Sequence, residues 1–365
     1  MAELDLQGIQ KRFGDFMAVR ETSFTIRDGE FFVLLGPSGC GKTTTLRMIA
    51  GLELPTEGKI LLDGEDVTYK RASQRDIGFV FQLFALYPHM KVRENIAFPL
   101  KCQGVPRVES KRRVEEVARL LRIEHLLERS VAGLSGGDSQ RVALGRALVR
   151  RAKACMMDEP LGALDAEFRH LMCVELHALH DRIRATTVYV THDQTEAMAM
   201  ADRIAVMNHG VVVQIGSPQD IYDRPADMHV AGFIGSPPMS FLRFKSSLTP
   251  GQTSVQLNGE AIRVPALRQG VVEGELALGV RPEHVRISDL GEMRGEVFSV
   301  EYMGTVQIVT INTKHGQLKA RIASRQRVRV GEAVGLNFDS ERLLVFDAVS
   351  GSALKSRLFE GSASD

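Results

Sequence analysis

Only four cysteines occur in 365 residues, and Cys40, Cys102, Cys155 and Cys173 lie far apart. None has the close pairing of a metal site, and Cys40 sits in a glycine-rich stretch where a crosslink would be hard to fit, so a reducing cytosol is expected. Long hydrophobic runs are missing as well: nowhere do 18 apolar residues follow one another, and the acidic opening MAELDLQGIQ lacks the apolar core of a signal peptide. The chain is therefore expected to stay in the cytoplasm and not to cross a membrane by itself. An excess of one charge is also absent. Formal net charge is +1 with both signs interleaved, so no global field draws the chain to nucleic acid or to an anionic surface. What is present, 44% hydrophobic and 25% charged residues, suits an ordinary globular protein of about two domains.

Residues 1–235 alternate short apolar runs with longer amphipathic stretches, the pattern of a sheet with helices on its faces. Strands are predicted at Phe31–Leu35, Ile77–Phe81, Cys155–Met157 and Thr187–Thr191. Helices are predicted at Thr43–Ala50, Ser110–Leu127, Gln140–Arg151, Ala166–Arg184 and Gln194–Ala201. After Gly235-Ser236-Pro237-Pro238 the texture changes to short strands and turns, such as Ser254–Leu257, Asn258-Gly259, Ala261–Val264, Val306–Ile311 and Lys319–Ile322. Residues 236–349 read as a compact β barrel, and 350–365, small and polar, as a flexible tail.

Gly36-Pro37-Ser38-Gly39-Cys40-Gly41-Lys42-Thr43 fits G-x-x-x-x-G-K-[ST] between the apolar strand FFVLL and the helix TTTLRMIA. Its glycines let successive N–H groups aim inward, and the following helix N-terminus, from Thr43 and Thr44, adds partial positive charge. Lys42 is expected on the β- and γ-phosphates of a nucleotide and the Thr43 hydroxyl on Mg²⁺. The bland alternative is a glycine-rich turn with no ligand.

Met156-Met157-Asp158-Glu159 ends a second buried strand in two carboxylates, at the sheet edge where nucleotides sit. Two acids after a strand can simply cap a helix. Beside a phosphate loop, Asp158 is better read as an Mg²⁺ ligand and Glu159 as the base that orients the attacking water.

Leu134-Ser135-Gly136-Gly137, followed by Gln140-Arg141, resembles the signature motif of ATP-binding-cassette proteins. Physically it is a second small-residue turn feeding a helix N-terminus. The resemblance implies that each ATP is sandwiched between two copies of the chain. It carries over further positions: Phe13 as the aromatic on adenine, Gln82 as a metal-site glutamine linked to the membrane partner, Asp165 as the acid that communicates across the dimer, and His192 on the γ-phosphate. Taken singly, these could be core packing, a strand end, a helix cap and a hydrogen-bonded histidine.

Longer segments, among them PSGCGKTTTLRMIAGLE, VFQLFALYPHMKVRENIAFPLK, YVTHDQTEAMAMADRIAVM and VAGFIGSPPM, look like the ATPase subunits of maltose-type carbohydrate importers. That resemblance implies a P-loop ATPase domain with a helical subdomain, then an OB-like regulatory domain. It also implies a homodimer on the cytoplasmic face of the inner membrane, two membrane-spanning permease subunits docked around Leu83–Met90, an extracytoplasmic solute-binding protein, and no nucleic acid. Within the docking segment Phe84, Leu86, Tyr87 and Met90 could equally be internal core.

The expected role is to drive import of a carbohydrate, polyol or glycerol phosphate. A polyamine or metal importer and a non-transport cassette ATPase are the alternatives. Three positions depart from the family pattern: Asp138 replaces a glutamine next to the partner's ATP, Ser139 a basic residue, and Cys173 an arginine.

Overall fold

The computed structural model describes residues 2–82, 84–162 and 164–360. Leu83, the first residue of the expected docking segment, lies outside them. Two compact units meet at Pro218 and Gln219.

The first unit is built on a six-stranded sheet with spatial order Val211–Gly216, Arg203–Asn208, Phe31–Leu35, Thr186–Thr191, Ala154–Asp158, Ile77–Val80. Five of these strands run parallel, and Val211–Gly216 joins the edge antiparallel. Phe31–Leu35 is fully buried along its length, as expected of a central strand covered on both faces. It delivers the phosphate loop between two neighbours. Ala154–Asp158 delivers the carboxylates two strands away. A second, antiparallel sheet holds Phe16–Ile26, Leu4–Phe13, Glu57–Leu62 and Glu65–Asp66. Its register slips repeatedly along the first pair, which blurs the strict alternation that would have exposed it in the sequence.

The predicted helices form with shifted ends. Lys42–Ala50 starts after Gly41, at φ 104°, and stops at Gly51, at φ 71°, a left-handed cap that favours glycine. The stretch predicted over 110–127 is a helix only at Arg107–Leu120, with Arg122 turning out at φ 56°. The one predicted from Gln140 begins at Gly136, because the Ser135 hydroxyl accepts the Asp138 N–H and caps the helix four residues earlier. Val92–Cys102 is a helix that contains Pro99, which in sequence reads as a breaker.

The second unit packs strands of a three-stranded sheet (Ser240–Leu248, Val271–Val280, Leu344–Asp347), a hairpin (Ser254–Leu257, Glu260–Arg263) and a five-stranded sheet around one core that includes Leu242, Leu278, Val309 and Leu336. The hairpin turns on Asn258 and Gly259 with both φ positive, the backbone that an Asn-Gly pair favours.

Two expectations need correction. The boundary expected at 235 falls at 218, because the helix Met228–Phe233 belongs to the second unit: the Met228 N–H donates to the Gly351 carbonyl at 2.8 Å, and the buried Arg281 donates to the Ile234 carbonyl at 2.7 Å. The stretch expected to be a flexible tail is packed as far as residue 360. Ala353 and Leu354 donate to the Ala226 and Val345 carbonyls, and Leu354 and Ser356 are buried. Residues 361–365 lie outside the described residues.

Candidate active site

The phosphate loop leaves the buried end of Phe31–Leu35 so tightly that a Cβ on Gly36 would stand 2.3 Å from the Met207 carbonyl oxygen. Lys42 is buried and folded back, its ammonium donating to the Gly36 carbonyl at 2.7 Å and the Pro37 carbonyl at 2.8 Å. Ser38 and Gly39 are exposed at the tip, and Thr44 is half-buried behind them. Cys40 is buried with its sulfur 3.9 Å from the Lys42 ammonium. Burial pushes the thiol above its ordinary range, outweighing the nearby positive charge.

The Thr43 hydroxyl donates to Asp158 Oδ1 at 2.8 Å, so the expected metal ligands from the loop and from Ala154–Asp158 stand side by side. Burial holds the Asp158 carboxyl above the usual range, with the Thr43 hydrogen bond opposing. Next to it, Glu159 adopts φ 43°, a left-handed backbone that costs a non-glycine residue about 1–3 kcal/mol and is common where a side chain must be aimed. Glu159 Oε2 is the meeting point of two more predicted residues: the Gln82 amide donates to it at 3.2 Å, and His192 Nδ1 lies 3.3 Å away. Thr43, Asp158, Glu159, Gln82 and His192 thus form one cluster, drawn from four separate stretches of the chain.

The signature residues form another cluster. Ser135 caps Gly136–Leu148, and its hydroxyl also donates to Asp138 Oδ2 at 2.8 Å. Gly137 lies under the ring of Phe168, where a Cβ would come within 2.2 Å. Asp165 Oδ1 accepts the Phe168 N–H at 2.9 Å and caps the helix Ala166–Ile183. Phe13 stands apart on the N-terminal hairpin, half exposed, with the Lys11 ammonium 4.8 Å from its ring centre.

Sequence reasoning missed three residues that organise these clusters. Phe168 joins the Asp165 cap to the signature turn. Arg169 donates to the Leu164 carbonyl at 2.8 Å and to Asp193 at 3.2 Å, so it ties the segment before Asp165 to the residue after His192. Arg146 donates to the Phe84 and Ala85 carbonyls just beyond Gln82. An arginine within an amphipathic helix reads as solvated, and no local signal marks it as a clamp. Phe84, Leu86, Tyr87 and Met90 are all partly buried, neither core nor free surface.

The ABC transporter profile matches residues 19–162, across both the phosphate loop and the signature turn, and the TOBE domain profile matches 278–346. The trehalose/maltose import ATP-binding protein MalK of Thermococcus litoralis is 46% identical, covering 97% of this chain and 100% of its own length. The chain belongs to the ABC transporter ATPases. The cassette comprises the ATP-hydrolysing domain, and the β-rich domain after it is of the TOBE, OB-like type, as the resemblance implied. The sn-glycerol-3-phosphate import ATP-binding protein UgpC of Psychromonas ingrahamii is 41% identical, with 95% of this chain and 94% of that one covered. Among solved structures, a dimeric ATP-binding cassette holding ADP and phosphate after hydrolysis superposes with TM-score 0.53 at 31% identity, over 59% of this chain and 98% of that one.

Proposed function

We propose that the chain is the motor of a carbohydrate-type importer, two copies closing on two ATP molecules while seated on two membrane-spanning permease subunits at the cytoplasmic face of the membrane. An extracytoplasmic solute-binding protein completes the assembly. The observation that carries this reading is likeness over both units at once: relatives named for importing trehalose, maltose and sn-glycerol-3-phosphate align along nearly their whole length. No described helix is long and apolar enough to cross a membrane, so translocation would be supplied by other chains. A cleft of about 470 Å³ lined by Phe79, Phe81, Tyr87, Phe98, Pro99 and Arg146 offers a partly apolar seat beside the expected docking segment.

The side chains support a division of labour. Lys42 would leave the Gly36 and Pro37 carbonyls for the β- and γ-phosphates, a trade of neutral acceptors for charged ones. The adjoining Thr43 hydroxyl and Asp158 carboxylate are hard oxygen donors that would hold Mg²⁺, and Gln82, whose amide meets the neighbouring Glu159, would add its side-chain oxygen. Bound there, Mg²⁺ would neutralise charge developing on the phosphates. Glu159 would orient the water and take its proton as the new oxygen–phosphorus bond forms and the β–γ bridge breaks. His192, beside Glu159, would contact the γ-phosphate, and Ser135–Asp138 with Asp165 would face the partner copy's nucleotide. Phe13 would stack on adenine.

The test is ATP hydrolysis by the complex reconstituted in vesicles with its permease subunits and binding protein, challenged with trehalose, maltose, polyols, glycerol phosphate and polyamines. Stimulation by a carbohydrate or polyol is expected. Stimulation by polyamines alone would transfer the motor to another importer class.

A further inference from the structure

Phe84 and Ala85 take φ values of 59° and 49°, two successive left-handed residues with no glycine between them to ease the turn. Such a pair reverts to ordinary backbone unless something outside it holds the carbonyls in place. Arg146 does so. Its guanidinium donates to the Ala85 carbonyl at 2.6 Å and the Phe84 carbonyl at 2.8 Å, and lies 5.4 Å from the centre of the Tyr87 ring. Beyond the turn, Asn95, fully buried, accepts the Tyr87 N–H at 2.8 Å and donates to the Tyr87 carbonyl at 3.1 Å. Before the turn, Gln82 donates to Glu159 Oε2.

Arg146 stands near the end of Gly136–Leu148, the helix that Ser135 opens. One rigid helix therefore carries the signature serine at its start and the clamp on the Gln82 segment near its finish. We propose that Arg146 is a positioning residue for hydrolysis: by holding the Phe84–Ala85 turn it sets the Gln82 amide against Glu159 and makes that setting follow the signature helix. A planar fork with two parallel donors can hold two neighbouring carbonyls at once, which a lysine ammonium does less well. Arg146 touches no reacting atom. The inference rests on the proposed roles of Gln82 and Glu159.

The full-length chain tests it through kcat and KM for MgATP, with melting temperature alongside, in Arg146→Ala, Arg146→Lys, Arg146→Ala/Ala85→Gly and Gln82→Ala. Arg146→Ala is expected to lower kcat about 10-fold with KM within about 2-fold, and Arg146→Lys about 3-fold. Ala85→Gly in the Arg146→Ala background should return at least about 3-fold of the loss, because glycine holds the left-handed turn without a clamp. A merely structural arginine predicts a lower melting temperature and no recovery of kcat by the glycine. Unchanged kcat in both Arg146 variants, or no recovery in the double variant, would overturn the inference. If Arg146→Ala does not fold, Arg146→Lys with and without Ala85→Gly decides by the same comparison. Normal kcat in Gln82→Ala marks instead a failure of the Gln82 assignment.

Discussion

The Ser135 hydroxyl and Asp138 hold each other by two hydrogen bonds: the hydroxyl donates to the carboxylate at 2.8 Å and accepts the Asp138 N–H at 3.1 Å. The hydroxyl proton is therefore committed to Asp138, while in the proposed dimer the same hydroxyl should face the γ-phosphate of the partner's ATP. An extra negative charge stands beside it. At roughly 8 Å and an effective dielectric of about 20, one pair of like charges costs about 2 kcal/mol before Mg²⁺ and salt screen it. Asp138→Gln should tighten ATP-driven dimerisation in a Glu159→Gln background, with the larger gain at low salt. Titrating dimer against ATP at two ionic strengths measures this, and unchanged or weaker closure leaves Asp138 as a helix cap alone.

Lys42 and Glu159 should separate binding from chemistry. Lys42→Ala removes the charged donor and is expected to weaken ATP binding at least about 10-fold. Glu159→Gln should keep ATP, accumulate closed dimer and lose about 10²- to 10⁴-fold in turnover. Normal steady-state hydrolysis by Glu159→Gln in the assembled transporter refutes the assignment.

Cys40 provides a chemical probe of the loop. Burial raises its pKa above the ordinary thiol value, so the reactive thiolate is scarce at neutral pH and becomes abundant only above that range. Inactivation by a bulky thiol reagent should accelerate with rising pH further into the alkaline range than for an ordinary exposed thiol, slow in the presence of MgATP, and be absent in Cys40→Ser. Equal inactivation of Cys40→Ser places the sensitive thiol elsewhere.

Gly137 has no room for a side chain beneath Phe168. Gly137→Ala should destabilise the cassette by about 1–3 kcal/mol through overpacking, seen as a lower melting temperature. Phe168→Leu in the same chain should recover part of that loss by opening space. Additive losses in the double variant would show that the two sites do not touch.

Asp158 sets function against stability. Because its folded pKa is raised, the folded chain binds that proton more readily than the unfolded one. The stability linked to it is fully present below the unfolded value of about 3.9 and is lost as pH rises through the raised folded value. Asp158→Asn, which still accepts from Thr43, should therefore raise the melting temperature of the nucleotide-free chain at neutral pH, show no advantage near pH 4, and abolish hydrolysis. A lower melting temperature at pH 7 would contradict this account.

Sequence alone determined the phosphate loop, the Asp158–Glu159 strand end, the change of texture to a β-rich second domain and the Asn258-Gly259 hairpin. Each is a local pattern whose chemistry needs only neighbours along the chain: glycines for the turn, an apolar strand before it, a helix after it. The family resemblance added the expected roles of Gln82, Asp165 and His192, which carry no local signature of their own, and gave the small-residue turn at Ser135 its expected role.

Tertiary structure decided the rest, because it depended on contacts between residues distant in sequence. Gln82 and His192 meet on one oxygen of Glu159 only because the sheet sets their strands around the same edge. The domain boundary moved from 235 to 218, and residues 350–360 proved packed, because the segment around Met228 and the final stretch hydrogen-bond to each other. Arg146 reads as one more helical arginine until its carbonyl partners 61 and 62 positions upstream come into place. Periodicity reports which face of a helix is buried, and it carries no information on which distant backbone a long polar side chain will hold.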